Sequence, residues 1–421
     1  MMSKILVLGS GIGGSTAAHA LAEMGHHVDV VECSDRFGGK VIDYCCKATD
    51  ECSRCGVCVA TTQLHETLRH PGVRVHVGAS LEALSTGGQF SARIQQTNPV
   101  IDYGKCIGCD ACVSACPKDC ISRLARGELV QYRIDAGACL LRDGKSCQAC
   151  ADACPAGAIT AEGETATLRL GADAVLVATG HRPYPAQAKV RLGYGRLAGV
   201  MTGVEAEEAL RSRRTLGEGP ESVAFVQCVG SRDPKEGHNY CSSVCCAYAL
   251  RLARMLKHHS PASEVTIYYI DIQNFDKTFS LLRRELVASG IHFVRGVPFR
   301  IEQTSAGRLQ AYIENPEGEQ PATGGVVEHD RIVLSVGMEP AAETQTLVEK
   351  LGLLRNEFGF LATEPASART NLPAVYACGT CREPQSIPDT MAAARAAAFE
   401  INRDLSAATG RKQAVRAKGG R

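Results

Sequence analysis

The 421 residues carry 46 Lys and Arg against 45 Asp and Glu, a formal net charge of +1, with 45% apolar residues. Such a length and apolar share suit two or three domains with real cores, and the balanced charge excludes the one-signed surface of a nucleic-acid or anionic-membrane binder. No run approaches the roughly 18 consecutive apolar residues of a transmembrane helix, and the opening residues lack the pattern of a secretory signal, so a cytoplasmic chain without a membrane span is expected.

In a reducing compartment the cysteines become informative. There are 21, with 6 before residue 60, 9 between 106 and 154, 4 between 228 and 246, and 2 at 378 and 381. Dense, clustered thiols in that setting point to metal or redox chemistry rather than structural disulfides.

Lys4 to Leu8 reads as a buried parallel strand and Gly9-Ser10-Gly11-Ile12-Gly13-Gly14 as a G-x-G-x-x-G turn. Ser15 to Met24 reads as an Ala-rich helix and His27 to Val31 as a second strand that ends at Glu32. Glycines so placed let backbone approach a pyrophosphate. The helix N-terminus offers the anion free N–H groups, and the acid accepts from a ribose hydroxyl. Gly38-Gly39-Lys40 follows, and then Asp43-Tyr44-Cys45-Cys46 and Cys52-x2-Cys55-x2-Cys58. The last group is open between a cluster on Cys52, Cys55, Cys58 and Cys45 or Cys46, a redox disulfide, and zinc or packing. Cys33 reads as structural.

Arg74 to Gly78 and Gln89 to Gln95 alternate like strands. Cys106-x2-Cys109-x2-Cys112-x3-Cys116-Pro117 then has the spacing of a [4Fe–4S] site, in which the first three cysteines hold one cluster and the fourth serves a second. The partner run Cys147-x2-Cys150-x3-Cys154-Pro155 lacks its leading cysteine, and Cys139 is expected to substitute from a longer loop. The expected sets are Cys106, Cys109, Cys112 and Cys154, and Cys139, Cys147, Cys150 and Cys116. Structural zinc is the alternative, and the prolines after Cys116 and Cys154 speak against it. Cys120 is left as a packing residue. Because Thr165 to Leu170 alternates again, this unit reads as an insertion between outer strands.

Ala174 to Gly180 is a buried strand closing on Ala178-Thr179-Gly180. Val223 to Gln227 is another, leading into Cys228 and then Tyr240-Cys241-Ser242-Ser243-Val244-Cys245-Cys246, which enters a helix to Leu256. A second glycine fingerprint for NAD(P)H would stand there; four cysteines stand instead, at a helix start that favours thiolates. A further [4Fe–4S] cluster and a redox-active pair are both open readings of Cys228, Cys241, Cys245 and Cys246. Ser263 to Asp271, His292 to Gly296, Leu309 to Glu314 and His329 to Gly337 read as strands, Phe279 to Ser289 as a helix, and Glu317 to Gly325 as a polar turn. Val375 to Gly379 is a strand beside Cys378 and Cys381, which read as local thiols. Pro388-Asp389-Thr390 opens an Ala-rich helix, Met391 to Asp404, and a basic tail from Arg411 to Arg421 reads as solvated.

Taken in order, Gly38-Gly39, Ala178-Thr179-Gly180, Val375 to Gly379 and the helix from Pro388 resemble the landmarks of two-dinucleotide-binding flavoproteins. The resemblance implies an α/β, thioredoxin- and glutathione-reductase-like fold with an inserted two-cluster ferredoxin domain. It also implies FAD at Gly9, Gly11, Gly14, Glu32, Gly39, Lys40, Ala178, Thr179, Gly180, Gly379, Thr380, Asp389 and Thr390. Those proteins usually have Asp where Thr380 stands, so the ribityl hydrogen bond is lost or made by backbone. Lys40 is expected beside the isoalloxazine, stabilising reduced flavin. The implied divisions are 1–96, 163–199 and 329–408 for the flavin domain, 97–162 for the insertion, 200–328 for a degenerate NAD-binding-like domain and 409–421 for the tail.

Cys228-Val229-Gly230-Ser231-Arg232-Asp233, Tyr240 to Cys246, Ile387-Pro388-Asp389-Thr390 and the insertion resemble the A-type flavin subunit of heterodisulfide reductases. This resemblance implies a non-standard [4Fe–4S] cluster on Cys228, Cys241, Cys245 and Cys246, hence three clusters, with a fourth near residues 45–58, where the family usually has only C-x2-C. It implies an electron-transfer subunit that works with heterodisulfide reductase B/C-like subunits or a hydrogenase or dehydrogenase module, as a homodimer within a larger complex, with a membrane-attached partner open. The large form's N-terminal cluster domain and final ferredoxin domain are not found in these residues, so a minimal version is expected and electron bifurcation does not follow. The rivals are a self-contained NAD(P)H:acceptor oxidoreductase, a disulfide reductase using Cys45/Cys46 or Cys52/Cys55, and a zinc-stapled scaffold.

Overall fold

The computed structural model describes residues 2–419 apart from 86–88, 136, 163–164, 274–278, 315–316 and 319–324. Most of the polar turn expected over 317–325, and the basic side chains beyond 408, lie outside the described residues.

Lys4–Leu8 is the middle strand of a five-stranded parallel sheet. It pairs with Ala174–Val177 on one side, with Val375–Ala377 beyond, and with His27–Val31 and then Val73–His76 on the other. A central parallel strand is covered on both faces, and the unbroken apolar run Ile5 to Leu8 answers that demand. One face carries the helices Ile12–Glu23, Val57–Arg69 and Ile387–Gly419, packed through Ala17, Ala18, Leu21, Leu64, Ala394, Ala397 and Ala398. Small side chains there let helix and sheet backbones approach closely. The opposite face packs on an antiparallel sheet of Ala79–Ser85, Phe90–Thr97 and Thr165–Ala172. The last helix begins before the expected Met391 and runs to Gly419, past the expected end at Asp404.

Phe90–Thr97 and Thr165–Ala172 pair along their whole length, with Thr97 opposite Thr165. The chain between them leaves and returns at one neck, so the insertion is a compact branch. It consists of the hairpin Ile121–Arg126 and Leu129–Ile134, the short pair Val100–Ile101 and Ile159–Thr160, and the helices Ala111–Ala115 and Ala149–Asp152.

His181–Pro183 pairs antiparallel with Met338–Pro340, and this ribbon carries the chain out to the second domain and back. That domain has a parallel sheet in the order Val200–Thr202, Arg331–Val336, Ser222–Val229, Glu264–Tyr269, Ile291–Arg295, edged by Glu317–Gly318. Helices Gly203–Arg213, Cys245–His259 and Phe279–Ala288 accompany it, with a three-stranded layer of Pro298–Gln303, Leu309–Ile313 and Val326–His329. No described helix is long and apolar enough to cross a membrane.

Candidate functional site

A cavity of about 1460 Å³ opens beyond the C-terminal ends of the first sheet's strands and reaches the second domain. Gly9, Gly11, Glu32, Gly39, Lys40, Ala178, Thr179, Gly180, Gly379, Thr380, Asp389 and Thr390 all line it; Gly14 does not, being buried in the first helix. The glycines divide by role. A Cβ on Gly9 would stand 2.4 Å from the Ala178 carbonyl oxygen, and one on Gly14 2.0 Å from that of Gly9, so these two permit backbone packing. A Cβ on Gly11 would meet nothing within 4 Å, because that position faces the cavity.

Glu32 is buried, and its carboxylate accepts from the Ser10 N–H at 2.9 Å, the Ser10 hydroxyl at 2.7 Å and the Ser34 N–H at 2.8 Å. Ser10 Oγ in turn accepts from the Gly38 N–H at 3.0 Å, so the two glycine turns are tied together through one serine. Burial holds the Lys40 ammonium below its usual range, while Glu343 and Glu32 oppose that shift. The charged groups that surround Lys40 are therefore Glu343, Glu32 and Asp43.

Thr380 Oγ1 and His181 Nδ1 lie 3.0 Å apart. Burial, with Lys40 second, pushes His181 down to about 3, so the ring is neutral at ordinary pH. His181 thus stands against Thr380 in the cavity wall, a contact no histidine spacing signalled. The Asp389 N–H donates to Ser386 Oγ and the Thr390 N–H to the Ser386 carbonyl, which fixes the helix start against the cavity. Cys378 and Cys381 are fully buried, and burial pushes both thiols up.

In the insertion, Cys106, Cys109, Cys112 and Cys154 line one small cavity. Cys116, Cys139, Cys147 and Cys150 line another, together with Cys120. Cys120, read from sequence as a packing residue, is buried there with its Sγ 3.2 Å from that of Cys116. The branch is docked on the first domain by Gln131, which is fully buried, accepts from the Phe37 N–H and donates to the Phe37 carbonyl, both at 2.8 Å. Phe37 precedes the Gly38-Gly39 turn.

In the second domain a bulge interrupts the Ser222–Val229 strand where Cys228 takes φ +61°. Ser243, before the helix, takes φ +61° as well. Such strained backbone survives only where surroundings enforce it. Here Tyr240 donates to the Met338 carbonyl at 2.8 Å, Ser242 accepts from the Met338 N–H at 2.8 Å and Arg232 pairs with Asp271. Cys228, Cys241, Cys245 and Cys246 are brought within electrostatic reach of one another. Burial and then Cys246 push Cys228 up to about 12; Cys246 beside it raises Cys245, and Cys245 lowers Cys246 to about 7.

The Cys45–Cys58 group is not gathered in this way. Cys45 is buried against the second domain, its N–H donating to Glu207 Oε1 at 2.8 Å and its thiol pushed up to about 11 by burial and then Glu207. Cys46, Cys52 and Cys58 are exposed, and Cys55 alone of the five lines the large cavity. Cys33, taken from sequence as structural, is exposed and lines the cavity beside Glu32. Lys47 forms a buried ion pair with Glu207 across the domain boundary, which sequence reading missed for want of a local signal.

Residues 7–47 match the NAD(P)-binding Rossmann-like domain, 105–164 the 4Fe-4S dicluster domain, and 237–398 the pyridine nucleotide-disulphide oxidoreductase family. The A-type subunit of the H(2):CoB-CoM heterodisulfide,ferredoxin reductase of Methanothermobacter marburgensis is 31% identical over 94% of this chain and 63% of its own length. The A-type iron-sulfur subunit of the CoB--CoM heterodisulfide reductase of Methanocaldococcus jannaschii is 30% identical over 98% of this chain and 66% of its own.

The chain is a relative of the A-type subunits of heterodisulfide reductases.

It spans just under two thirds of the length of these heterodisulfide reductase relatives. Thioredoxin reductases of T. acidophilum and Lactococcus lactis share its fold. Their TM-scores are 0.53 and 0.54 at 12% and 16% identity, over 96% and 95% of this chain and 99% and 98% of theirs. The two-domain flavin-oxidoreductase fold with an inserted dicluster unit, expected from sequence, is the one found.

Proposed function

We propose that this chain is an oxidoreductase subunit that relays electrons between FAD, [4Fe–4S] clusters and partner subunits. The observation that carries this reading is a shared wall. Ser243, Val244, Ala247 and Tyr248 line the large cavity, while Cys245 and Cys246 between them stand within electrostatic reach of Cys228 and Cys241. FAD would supply two-electron chemistry and the clusters single-electron steps.

Gly11 and the first helix N-terminus hold the pyrophosphate, and Glu32 accepts from a ribose hydroxyl. Lys40 adds a cation at that end, and the Thr380–His181 pair offers a neutral hydrogen-bonding edge to the ribityl chain. The helix start at Asp389 and Thr390 turns its positive dipole end toward the ring carbonyls. Cys106, Cys109, Cys112 and Cys154 hold one cluster, Cys116, Cys139, Cys147 and Cys150 a second, and Cys228, Cys241, Cys245 and Cys246 a third. A fourth cluster would need Cys52, Cys55 and Cys58, with Cys46 or Cys45, to close up around it, since they stand apart here and Cys45 is buried against Glu207. The partners are other oxidoreductase subunits, of the kind the relatives' names describe. Cys55 in the cavity wall favours one second reading, a disulfide reductase, which would bind few irons per chain and show stoichiometric, flavin-linked thiols.

Flavin reduction tests the relay. In the isolated holo-chain, dithionite bleaches the flavin whereas NADH does so slowly or not at all, because no second glycine fingerprint stands at 223–256. Rapid bleaching by NADH would replace this reading with a self-contained NAD(P)H oxidoreductase.

A further inference from the structure

The second cavity of the insertion holds five thiols where a [4Fe–4S] cluster binds four. Cys116, Cys120, Cys139, Cys147 and Cys150 all line it. Two thiolates bound to one cluster occupy different irons and so stand at different corners of the core. Cys116 and Cys120, with sulfurs 3.2 Å apart, stand at a single corner. Their closeness is built into the backbone. Cys120 is buried at the base of the Ile121–Ile134 hairpin, where its carbonyl accepts from the Asp135 N–H at 2.8 Å; the Asp119 N–H in turn donates to the Cys116 carbonyl at 3.2 Å.

We propose that Cys120 is a spare ligand that shares one iron of the second cluster with Cys116. In the ordinary state Cys116 is the bound thiolate and Cys120 keeps its proton, donating an S–H hydrogen bond to the Cys116 sulfur. In the exchanged state the Cys116–iron bond breaks and a Cys120–iron bond forms. The Cys120 proton passes to the departing Cys116 sulfur, so charge and electron count are unchanged. The corner can then survive loss of Cys116. The hydrogen bond also tunes the cluster, because donors to its sulfurs raise its reduction potential. This inference rests on the proposed assignment of residues 106–154 to two clusters.

The test compares wild type, Cys116→Ala, Cys120→Ala and the double variant as full chains purified without oxygen. It reads iron, sulfide and flavin per chain and the spectrum and midpoint potential of the reduced clusters. Both single variants keep the wild-type iron, and the double variant loses about four irons. Flavin content reports that the first domain has folded. Cys120→Ala retains its iron but shifts the second cluster to a more negative potential, a readout that does not depend on Cys116→Ala folding. Loss of about four irons in either single variant, or an unshifted potential in Cys120→Ala, overturns the proposal. Wild type lacking the iron of two clusters in this unit would instead sink the underlying assignment.

Discussion

Gly9 and Gly11 stand two residues apart and answer different physical demands. Gly9 has φ +107° and no room for a Cβ, so Gly9→Ala strains the backbone by about 1–3 kcal/mol and lowers the thermal midpoint. Gly11 has φ −57° and faces open cavity, so Gly11→Ala keeps the fold but places a methyl where the pyrophosphate lies. We expect its melting temperature as apoprotein to match wild type and its flavin affinity to fall about tenfold, near 1.4 kcal/mol. Fluorescence of released flavin measures the change, and unchanged affinity would place the dinucleotide elsewhere. The Lys47–Glu207 pair, with side chains 5% and 9% exposed, makes a second residue-scale prediction. Lys47→Met leaves a buried carboxylate without its cation and should cost about 3–5 kcal/mol in denaturant unfolding, whereas Lys47→Met with Glu207→Gln recovers most of that loss.

At the scale of elements, the insertion is the part most easily separated. Thr97 and Thr165 face each other across an antiparallel pair, so a short turn can replace 98–164 without disturbing the outer sheet. The excised chain should bind FAD and lose about eight irons, as flavin and iron analysis would show. The cost is exposure of the apolar surface that the insertion shares with the first domain, including Phe37, whose backbone groups lose their Gln131 partners. In the second domain, His329 bridges Ser222 and Tyr268 as a neutral ring, and burial lowers it to about 4. An unfolded histidine titrates near 6.5. Between that value and about 4 the unfolded chain binds a proton that the native ring refuses, so stability falls as pH drops through this window and is complete above it. The loss is on the order of 3 kcal/mol, and urea titrations at pH 7 and 4.5 should show a smaller difference in His329→Gln.

For the whole molecule, what was legible in the sequence is what lies close along the chain. The G-x-G-x-x-G turn, both cysteine runs of the insertion and the Tyr240–Cys246 segment are local spacings, and the cavity linings follow them. Contacts that join distant segments left no such trace. Gln131 on Phe37, His181 beside Thr380 and Lys47 on Glu207 depend on tertiary packing. The Ile121–Ile134 hairpin was missed because Ser122, Arg123, Ala125 and Arg126 dilute its apolar alternation. The assembled picture is one cavity whose wall includes the start of the Cys245–His259 helix, with the insertion docked on the first domain through Gln131. Its most direct test is the iron, acid-labile sulfide and flavin content of the full chain prepared without oxygen. One FAD with about twelve to sixteen irons and as many sulfides is the expected result, four irons to each cluster. A yellow protein holding zinc, or no metal, would contradict it.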